Sequence, residues 1–338
     1  MFDIEKLQCL TDLHLHIDGA ISVKSARKLA EIQKISIPES DAELEKLLRV
    51  SPGCRDLNDF LKKFDFPGSL MQTEKGISWA VYNLLEELHE QGVIYAELRL
   101  APQKHTKCGL NQEQAVLAAI DGIRRSVNVH ANLILCCMRD KDNRNENLET
   151  AELCEKYLGK GVAAIDLAGP EALYPTEDFS YVFSYAKVLG IPVTIHAGEA
   201  AGPGSMAAAL ECGADRIGHG IRSVENEEVM KALKKNGTVL ELCPTSNLIT
   251  HAVGSISEYP LRKFMSYGIR VTVNTDDPSV CGTDIRSEWR LLINEFDLTE
   301  NEVKKLLTES ADASFADETE KDRIRRMIRN DFYRVDNQ

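Results

Sequence analysis

Two histidines separated by one residue are the first side chains of the chain that could do chemistry. His14 and His16 lie in the stretch 11–19, where apolar and polar residues alternate as they do in a β-strand. Residues i and i+2 of a strand point to the same side, so both imidazoles can bind one transition metal ion. Gly19 follows directly and places the pair at a strand–loop boundary, where functional sites are common. The pair alone is a weak signal and gains meaning only if further ligands lie nearby.

Further acid–base and ligand residues follow other strand-like segments. His196 and Glu199 follow one segment, His219 ends another, and Asp276 and Asp277 follow a third. Together with His14 and His16, four of the eight histidines therefore lie at the ends of strand-like segments. Three histidines and a carboxylate can hold Zn²⁺ and leave one position open for water. The metal lowers the pKa of that water to about 7 and so produces hydroxide at neutral pH.

We therefore predict one Zn²⁺ per chain, held by His14, His16, His196 and Asp276. Glu199 lies three residues beyond a ligand, which suits a proton donor to the substrate. His219 is placed to orient or deprotonate the water, or else to be a fifth metal ligand or to support the other ligands. Asp277 is expected to bind substrate or to cap the turn that follows it.

Eight short runs of apolar and β-branched residues must position these side chains. Most alternate with helix-length segments, and near-continuous apolar runs are typical of parallel strands covered on both faces. This alternation predicts the α/β class and a (β/α)8 TIM barrel, whose active site lies at the carboxyl ends of the strands. The predicted strands are Leu10–His16, Val93–Leu100, Asn132–Met138, Ala163–Leu167, Val193–His196, Arg216–His219, Thr238–Cys243 and Arg270–Asn274.

Helical patterns fill the intervals, and one interval is too long for a simple crossover. Between the first two strands lie about 75 residues with helical patterns at Val23–Gln33, Asp41–Leu48 and Leu57–Phe64. Because this insertion follows a barrel strand, we predict a helical lid over residues 23–75, with its apolar face toward substrate or packed on the barrel. The charged tail, Thr299–Gln338, is expected to form extra helices, and residues 1–338 are expected to form a single domain. The other predicted helices are Ile77–Gln91, Gln112–Val127, Ala151–Leu158, Tyr181–Leu189, Ser205–Cys212 and Glu227–Lys235.

Composition limits the partners and the compartment. The formal net charge of −13 argues against nucleic acid and anionic membranes as partners. No run approaches 18 apolar residues, and the first residues lack the pattern of a signal peptide. Nine cysteines without CxxC spacing indicate reduced thiols and a cytoplasmic protein. The oligomeric state is not predicted.

Six short strings together resemble the adenosine deaminase family of zinc hydrolases. Each string is weak alone, but they occur in the family's order across residues 14 to 278. The strings are His14-Leu-His-Ile-Asp-Gly19, Asp166-Leu-Ala-Gly169, His196-Ala-Gly-Glu199, Gly218-His-Gly220, Cys243-Pro-Thr-Ser-Asn247 and Thr275-Asp-Asp-Pro278. The lid stretch 57–65 and the second strand, 92–99, are similar to the family as well.

The resemblance implies hydrolytic deamination of adenosine and 2′-deoxyadenosine to inosine and 2′-deoxyinosine plus ammonia, as in purine salvage. It implies that hydroxide attacks C6 of the purine, steered by His219, while Glu199 protonates N1. In the same way Asp277 would bond N7, the N–H of Gly169 would meet N3, and Asp18 would hold the 5′-hydroxyl. The predicted catalytic residues are thus Glu199, His219 and Asp276, and the predicted substrate-binding residues are His16, Asp18, Gly169, Asp277, Leu57, Phe60 and Leu61.

Three alternatives stay open at this point. The chain could deaminate another 6-aminopurine, namely adenine, an N6-substituted AMP or a modified adenine nucleoside. A binuclear amidohydrolase is disfavoured, because the fourth strand carries Asp166 where that class places a carboxylated lysine. A barrel without catalysis that binds nucleosides or a protein is disfavoured, because Glu199 and every predicted ligand are present.

Overall fold

A computed structural model describes residues 2–336, so that Met1 and the last two residues of the predicted tail lie outside the described residues. All eight predicted strands are confirmed, with shifts of a few residues at their ends. They are β1 Leu10–His16, β2 Val93–Leu100, β3 His130–Met138, β4 Val162–Ala168, β5 Thr194–Ala197, β6 Arg216–His219, β7 Val239–Leu242 and β8 Val271–Val273.

The strands form two parallel four-stranded sheets, ordered β1-β2-β3-β4 and β5-β6-β7-β8. Single bridges join the sheets at both seams. At one seam the backbone N–H of Ile165 in β4 donates to the carbonyl of Pro192, just before β5, at 3.0 Å. At the other, Asp276, just after β8, bonds the backbones of His14 and His16 in β1 at 2.8 Å each. The predicted barrel therefore closes into a ring, and a predicted metal ligand forms part of its seam.

Helices surround this ring and cover the outer faces of its strands. Every residue of β2 and β4 is buried, as expected for parallel strands covered on both sides. The helices are α1 Val23–Gln33, α2 Asp41–Leu48, α3 Leu57–Leu61, α4 Asp65–Ser69, α5 Glu74–Glu90, α6 Gln112–Arg125, α7 Arg144–Tyr157, α8 Ser180–Leu189, α9 Pro203–Glu211, α10 Glu227–Asn236, α11 Pro244–Ile249, α12 Leu261–Tyr267, α13 Pro278–Cys281, α14 Ile285–Phe296, α15 Glu300–Ala313 and α16 Glu318–Asp336.

One helix begins well before its predicted start. The pattern predicted a helix from Ala151, whereas α7 begins at Arg144. Its first turns bury the polar side chains of Asn147 and Thr150 instead of apolar ones, so they carry no hydrophobic periodicity. The amide of Asn147 bonds the backbone of Met138 and fixes this end of the helix to β3.

The long interval after β1 is helical, as predicted. Residues 23–75 hold α1 to α4 and the beginning of α5, with a 3₁₀ turn at Lys62–Phe64 that ends the helix begun at Leu57. The extra C-terminal helices are also present as α15 and α16, and α15 packs on β8 and β1. Within residues 2–336, no helix combines the length and apolar character needed to cross a membrane.

Candidate metal and catalytic site

The four predicted metal ligands lie together at the carboxyl ends of β1, β5 and β8. One ligand-type atom of each lies within 4.8 Å of the others. The Nε2 atoms of His16 and His196 are 3.1 Å apart, and Asp276 Oδ1 lies 3.1 Å from His14 Nε2 and 3.5 Å from His16 Nε2. The fold therefore gathers three imidazoles and one carboxylate from distant parts of the chain around one point.

The chemistry of these atoms fits a bound divalent cation. His14 Nε2 and Asp276 Oδ1 are buried and have no hydrogen-bond partner among the described residues. Buried polar atoms are normally satisfied, so each such atom needs an explanation. Three imidazole nitrogens and one carboxylate oxygen form a donor set that suits Zn²⁺ and leaves room for a further ligand.

Two buried carboxylates orient the histidines of this cluster. Glu241 Oε2 lies 2.7 Å from Nδ1 of His14, and Asp166 lies 2.9 Å from Nδ1 of His196. A carboxylate on Nδ1 keeps the proton there and directs the Nε2 lone pair to the centre of the cluster. Burial alone would raise the pKa of Asp166, but the neighbouring His196 and then the guanidinium of Arg99 hold this pKa well below its usual value.

The carboxylates are held in turn by buried arginines inside the barrel. Arg99 donates from Nε to Asp166 at 3.0 Å and from Nη2 to Glu241 at 2.5 Å. Arg216 joins Glu241 at 2.6 Å and Glu97 at 2.5 Å. Buried carboxylates and guanidiniums thus alternate, which compensates charges that would be costly to bury unpaired.

Backbone features at the site also depend on particular residue types. A Cβ at Gly218 would lie 2.8 Å from Cε1 of His14, which is too close. The imidazole of His14 can therefore pack against β6 only because residue 218 is glycine. His219 and Asp276 adopt left-handed φ values of 62° and 63°, which are unfavourable for residues other than glycine. Such conformations concentrate at functional sites, where the surrounding structure enforces them.

Glu199 lies in the turn after β5, and a second carboxylate holds that turn. Glu171 accepts the backbone N–H groups of residues 198–201 at N···O distances of 2.7 to 3.1 Å. Burial, and then the carboxylates of Asp276 and Glu171, raises the pKa of Glu199 well above its ordinary value. A raised pKa favours the protonated carboxyl group, so Glu199 is suited to act as an acid.

A threonine at the end of α11 contacts this acid. Thr250 Oγ1 lies 3.1 Å from Glu199 Oε1 and 3.0 Å from the backbone carbonyl of Ser246. The hydroxyl has a single proton. If that proton goes to the carbonyl of Ser246, Thr250 can accept the proton of a protonated Glu199.

His219 faces the same carboxyl group from β6. Its Nε2 lies 3.6 Å from Glu199 Oε2 and 4.0 Å from Asp276 Oδ2, and its Nδ1 lies 2.9 Å from Nδ2 of Asn247. Burial lowers the pKa of His219 to about 3, so the ring is neutral at pH 7. The structure thus places His219 beside both the predicted acid and the predicted ligand Asp276.

The predicted substrate contacts lie on the same rim. Asp277 is buried, and its Oδ1 has no hydrogen-bond partner among the described residues. Burial, then the charges of Asp276 and Asp18, raises its pKa well above the ordinary value. Gly19 lies directly against Asp277, and a Cβ on Gly19 would fall 1.8 Å from Oδ1 of Asp277.

Asp18 and Gly169 follow β1 and β4. Burial raises the pKa of Asp18 to about 6, partly opposed by hydrogen bonds from the backbone of residues 18 and 19 and by the charge of Lys104. Gly169 is the first residue beyond β4 and has φ of 110°, a conformation that favours glycine. Both residues are therefore at the rim where the metal ligands and Glu199 lie.

The predicted lid residues pack over this rim. Leu57 and Phe60 of α3 are buried with Cys54, Val280 and Cys281. Partly buried Leu61 packs against the same cluster, as do Ala200 and Ile249, which directly follow Glu199 and precede Thr250. A further bond joins His251 Nε2 to the carbonyl of Cys54 at 3.0 Å. Helix α3 therefore contacts the segments that carry the acid and Asp277.

Sequence reasoning assigned no role to several residues that hold this site. They are Arg99, Arg216, Glu241, Glu171, Asn247 and Thr250. A signal existed for the first three, because a charged residue within an apolar strand must find a buried partner. None existed for Glu171 or Thr250, whose contacts depend on how loops far apart in sequence meet.

Comparison with known proteins agrees with this geometry. A family model described as adenosine deaminase matches residues 9–331. The chain belongs to the adenosine deaminase family. It is 47% identical over 318 residues to an adenosine deaminase of Haemophilus ducreyi, an alignment that covers 92% of each chain.

Solved structures of two deaminases share the fold. An adenine deaminase from Arthrobacter aurescens superposes with a TM-score of 0.86 at 27% identity, covering 95% of this chain and 98% of the other. The N6-methyl-AMP deaminase of Arabidopsis thaliana superposes with a TM-score of 0.83 at 26% identity, covering 97% and 98%. Adenosine deaminase amidohydrolases are metal-dependent hydrolases of C–N bonds, and this chain is an enzyme of that class.

Proposed function

We propose that the chain hydrolyses adenosine and 2′-deoxyadenosine to inosine and 2′-deoxyinosine plus ammonia, a reaction of purine salvage. The observation that carries this proposal is the buried cluster of three imidazoles and one carboxylate beside a buried glutamic acid. The high identity to an adenosine deaminase over nearly the whole chain supports adenosine as the substrate.

One Zn²⁺ per chain would be held by His14, His16, His196 and Asp276. When bound, the metal supplies an acidified water for attack on the purine. The protein's part is to present Nε2 of His14 and His196 with their protons fixed on Nδ1, through Glu241 and Asp166.

Glu199 would deliver a proton to N1 of the purine ring. A ring that is protonated at N1 loses aromatic character and becomes electrophilic at C6. The raised pKa of Glu199 favours the protonated form that gives up this proton, and Thr250 and the turn held by Glu171 fix the carboxyl group. His219 lies against the same carboxyl group and would orient the attacking oxygen.

Asp277 and Gly169 would hold the base. N7 and N3 of a purine are hydrogen-bond acceptors, so each requires a donor from the protein. The raised pKa of Asp277 favours the protonated carboxyl group, which can donate to N7, and the backbone N–H of Gly169 can donate to N3. The unpartnered Oδ1 of Asp277 supports this role.

The sugar would meet Asp18, and α3 would cover the site. Residues 23–75 act as a lid within a single domain, with Leu57, Phe60 and Leu61 excluding water from the purine. The contacts of α3 with the segments after β5 and β8 support this role. We place the enzyme in the cytoplasm, and its nine unpaired cysteines agree with a reducing compartment.

A second candidate substrate is adenine or an N6-substituted AMP, because structures of deaminases acting on these compounds superpose closely. Ultraviolet absorbance of the zinc-loaded protein with adenosine, 2′-deoxyadenosine, adenine, AMP and N6-methyl-AMP separates the candidates. We expect loss of the adenine chromophore and release of ammonia with the two nucleosides. Reaction with adenine or a nucleotide alone would replace the substrate, and no reaction with any of them would refute the proposal.

A further inference from the structure

The side chain of Asn247 connects His219 to a fixed network of hydrogen bonds. Asn247 lies on α11 and is fully buried, with Nδ2 at 2.9 Å from His219 Nδ1 and Oδ1 at 3.0 Å from the hydroxyl of Tyr259. The oxygen and nitrogen of an amide are told apart by their hydrogen-bond partners. The partners of Asn247 therefore decide which of its atoms faces the imidazole.

Tyr259 fixes the orientation of this amide. Its oxygen already receives a backbone hydrogen bond from Cys243, so its own proton is free to be donated elsewhere. That proton goes to Oδ1 of Asn247, which leaves the NH₂ group pointing at His219. An NH₂ group only donates, so Nδ1 of His219 must accept and carries no proton.

The opposite side of the imidazole gives the same answer. Nε2 of His219 faces two carboxyl oxygens, Oε2 of Glu199 and Oδ2 of Asp276. Asp276 Oδ2 is an acceptor, and so is Glu199 Oε2 when the proton of that acid lies on Oε1 toward Thr250, so a proton on Nε2 suits both oxygens and a bare nitrogen does not. His219 therefore has the tautomer opposite to those of His14 and His196, whose Nδ1 atoms face carboxylates.

We propose that Asn247 is a positioning residue that holds His219 as the neutral Nε2–H tautomer. The catalytic consequence rests on the proposed deamination. A neutral ring with its proton on Nε2 donates a hydrogen bond into the site and cannot take a proton at that atom. His219 then orients and stabilises the attacking oxygen and is not the base that deprotonates it.

Nuclear magnetic resonance of ¹⁵N-histidine-labelled, zinc-loaded protein tests the tautomer directly. The ring nitrogens of His219 are assigned by their loss in His219→Gln. We expect Nδ1 to resonate as an unprotonated nitrogen and Nε2 as a protonated one. A protonated Nδ1 in the wild-type protein would overturn the proposal. This measurement needs the folded His219→Gln variant only for the assignment and needs no known substrate.

The change Asn247→Asp tests the role of the amide. A carboxylate at this position accepts a proton from Nδ1, so the two resonances should exchange their character, and kcat should fall about tenfold or more while KM changes less than about threefold. Asn147→Asp, the same change at another buried asparagine, on α7, should leave the His219 resonances unchanged. Unaltered resonances and kcat in Asn247→Asp, or equal changes in Asn147→Asp, would refute the assignment. If no purine is deaminated, the proposed function fails while the resonances still decide the tautomer.

Discussion

The metal-ligand cluster and the pair formed by Glu199 and His219 lie side by side but are supported in different ways. His14 and His196 are backed by carboxylates, which are backed by the guanidinium of Arg99. Glu199 and His219 are instead contacted by neutral groups of α11, namely a threonine hydroxyl and an asparagine amide. The carboxylates hold a proton on Nδ1 of each ligand, whereas the neutral amide of Asn247 directs a donor at Nδ1 of His219 and leaves that atom without a proton.

The two regions also differ in where the chain places them. The ligands come from strand ends of the closed barrel, where backbone bonds such as those of Asp276 fix their positions. Glu199 lies in a turn that depends on Glu171 and on packing against the apolar cluster of α3. We therefore expect changes on the ligand side to affect metal affinity and changes on the acid side to affect turnover.

Removal of the acid should have the largest effect. Glu199→Gln keeps the size of the side chain but removes the proton that N1 requires, so kcat should fall about 10²- to 10⁴-fold. Steady-state kinetics measures the loss, and metal analysis of the same sample should still find zinc. Near-normal turnover would remove Glu199 from the acid role.

Loss of a ligand's supporting carboxylate should act on the metal instead. Asp166→Asn replaces the carboxylate on Nδ1 of His196, and zinc affinity measured by chelator competition should fall about 10- to 100-fold. Asp215→Asn is the matched control. Asp215 accepts the backbone N–H of Val193, which lies just before β5, at the end of that strand away from the cluster. Unchanged affinity in Asp166→Asn would contradict the supporting role.

Thr250→Val should lower kcat about tenfold, since it removes one hydrogen bond to Glu199 while keeping the shape of the side chain. Zinc affinity should not change, because Thr250 contacts no ligand of the predicted set. Thr250→Ser, which restores the hydroxyl, should recover turnover. If valine and serine give the same kcat, the hydroxyl has no part in holding the acid.

Truncation of an apolar side chain of α3 should weaken substrate binding if this helix covers the site as proposed. Phe60→Ala opens the apolar cluster over the rim, so KM for adenosine should rise about tenfold while zinc affinity stays the same. Phe332→Ala, at an equally buried ring on α16, should lower the free energy of unfolding without changing KM. Equal KM values in both variants would show that α3 is only structural.

A change at Glu288, a residue of α14 that contacts the backbone of α11, is expected to affect turnover least and stability instead. This buried carboxyl accepts the backbone N–H of Thr245 at 3.0 Å, and burial raises its pKa from 4.5 to about 7. Because the folded-state pKa is raised, the stability due to protonated Glu288 is complete below about pH 4.5 and is lost as the pH rises through 7.

Glu288→Gln mimics the protonated form at every pH. The variant should exceed the wild type in free energy of unfolding by about 3 kcal/mol at pH 8.5 and by less than about 0.5 kcal/mol at pH 4.5. Urea titrations at both pH values, each with the same zinc concentration, measure the difference. A difference that does not change with pH would contradict the raised pKa.

The strand ends could be predicted because buried parallel strands are marked by continuous apolar runs. Once a barrel was inferred, His14, His196 and Asp276 had to meet at one rim, and the structure brings them together. The start of α7 was missed, because polar side chains fill its buried face. The contacts of Asn247 and Thr250 could not be predicted, because they depend on the direction that the short helix α11 takes after β7. The pattern of apolar residues in the sequence does not indicate that direction.

Zinc titration of metal-stripped protein, followed by the rate of adenosine deamination, tests the central claim most directly. The account predicts no activity in the stripped protein and a linear rise that ends at one bound zinc per chain. Activity without metal, or a folded protein that binds one zinc and deaminates no purine, would contradict it.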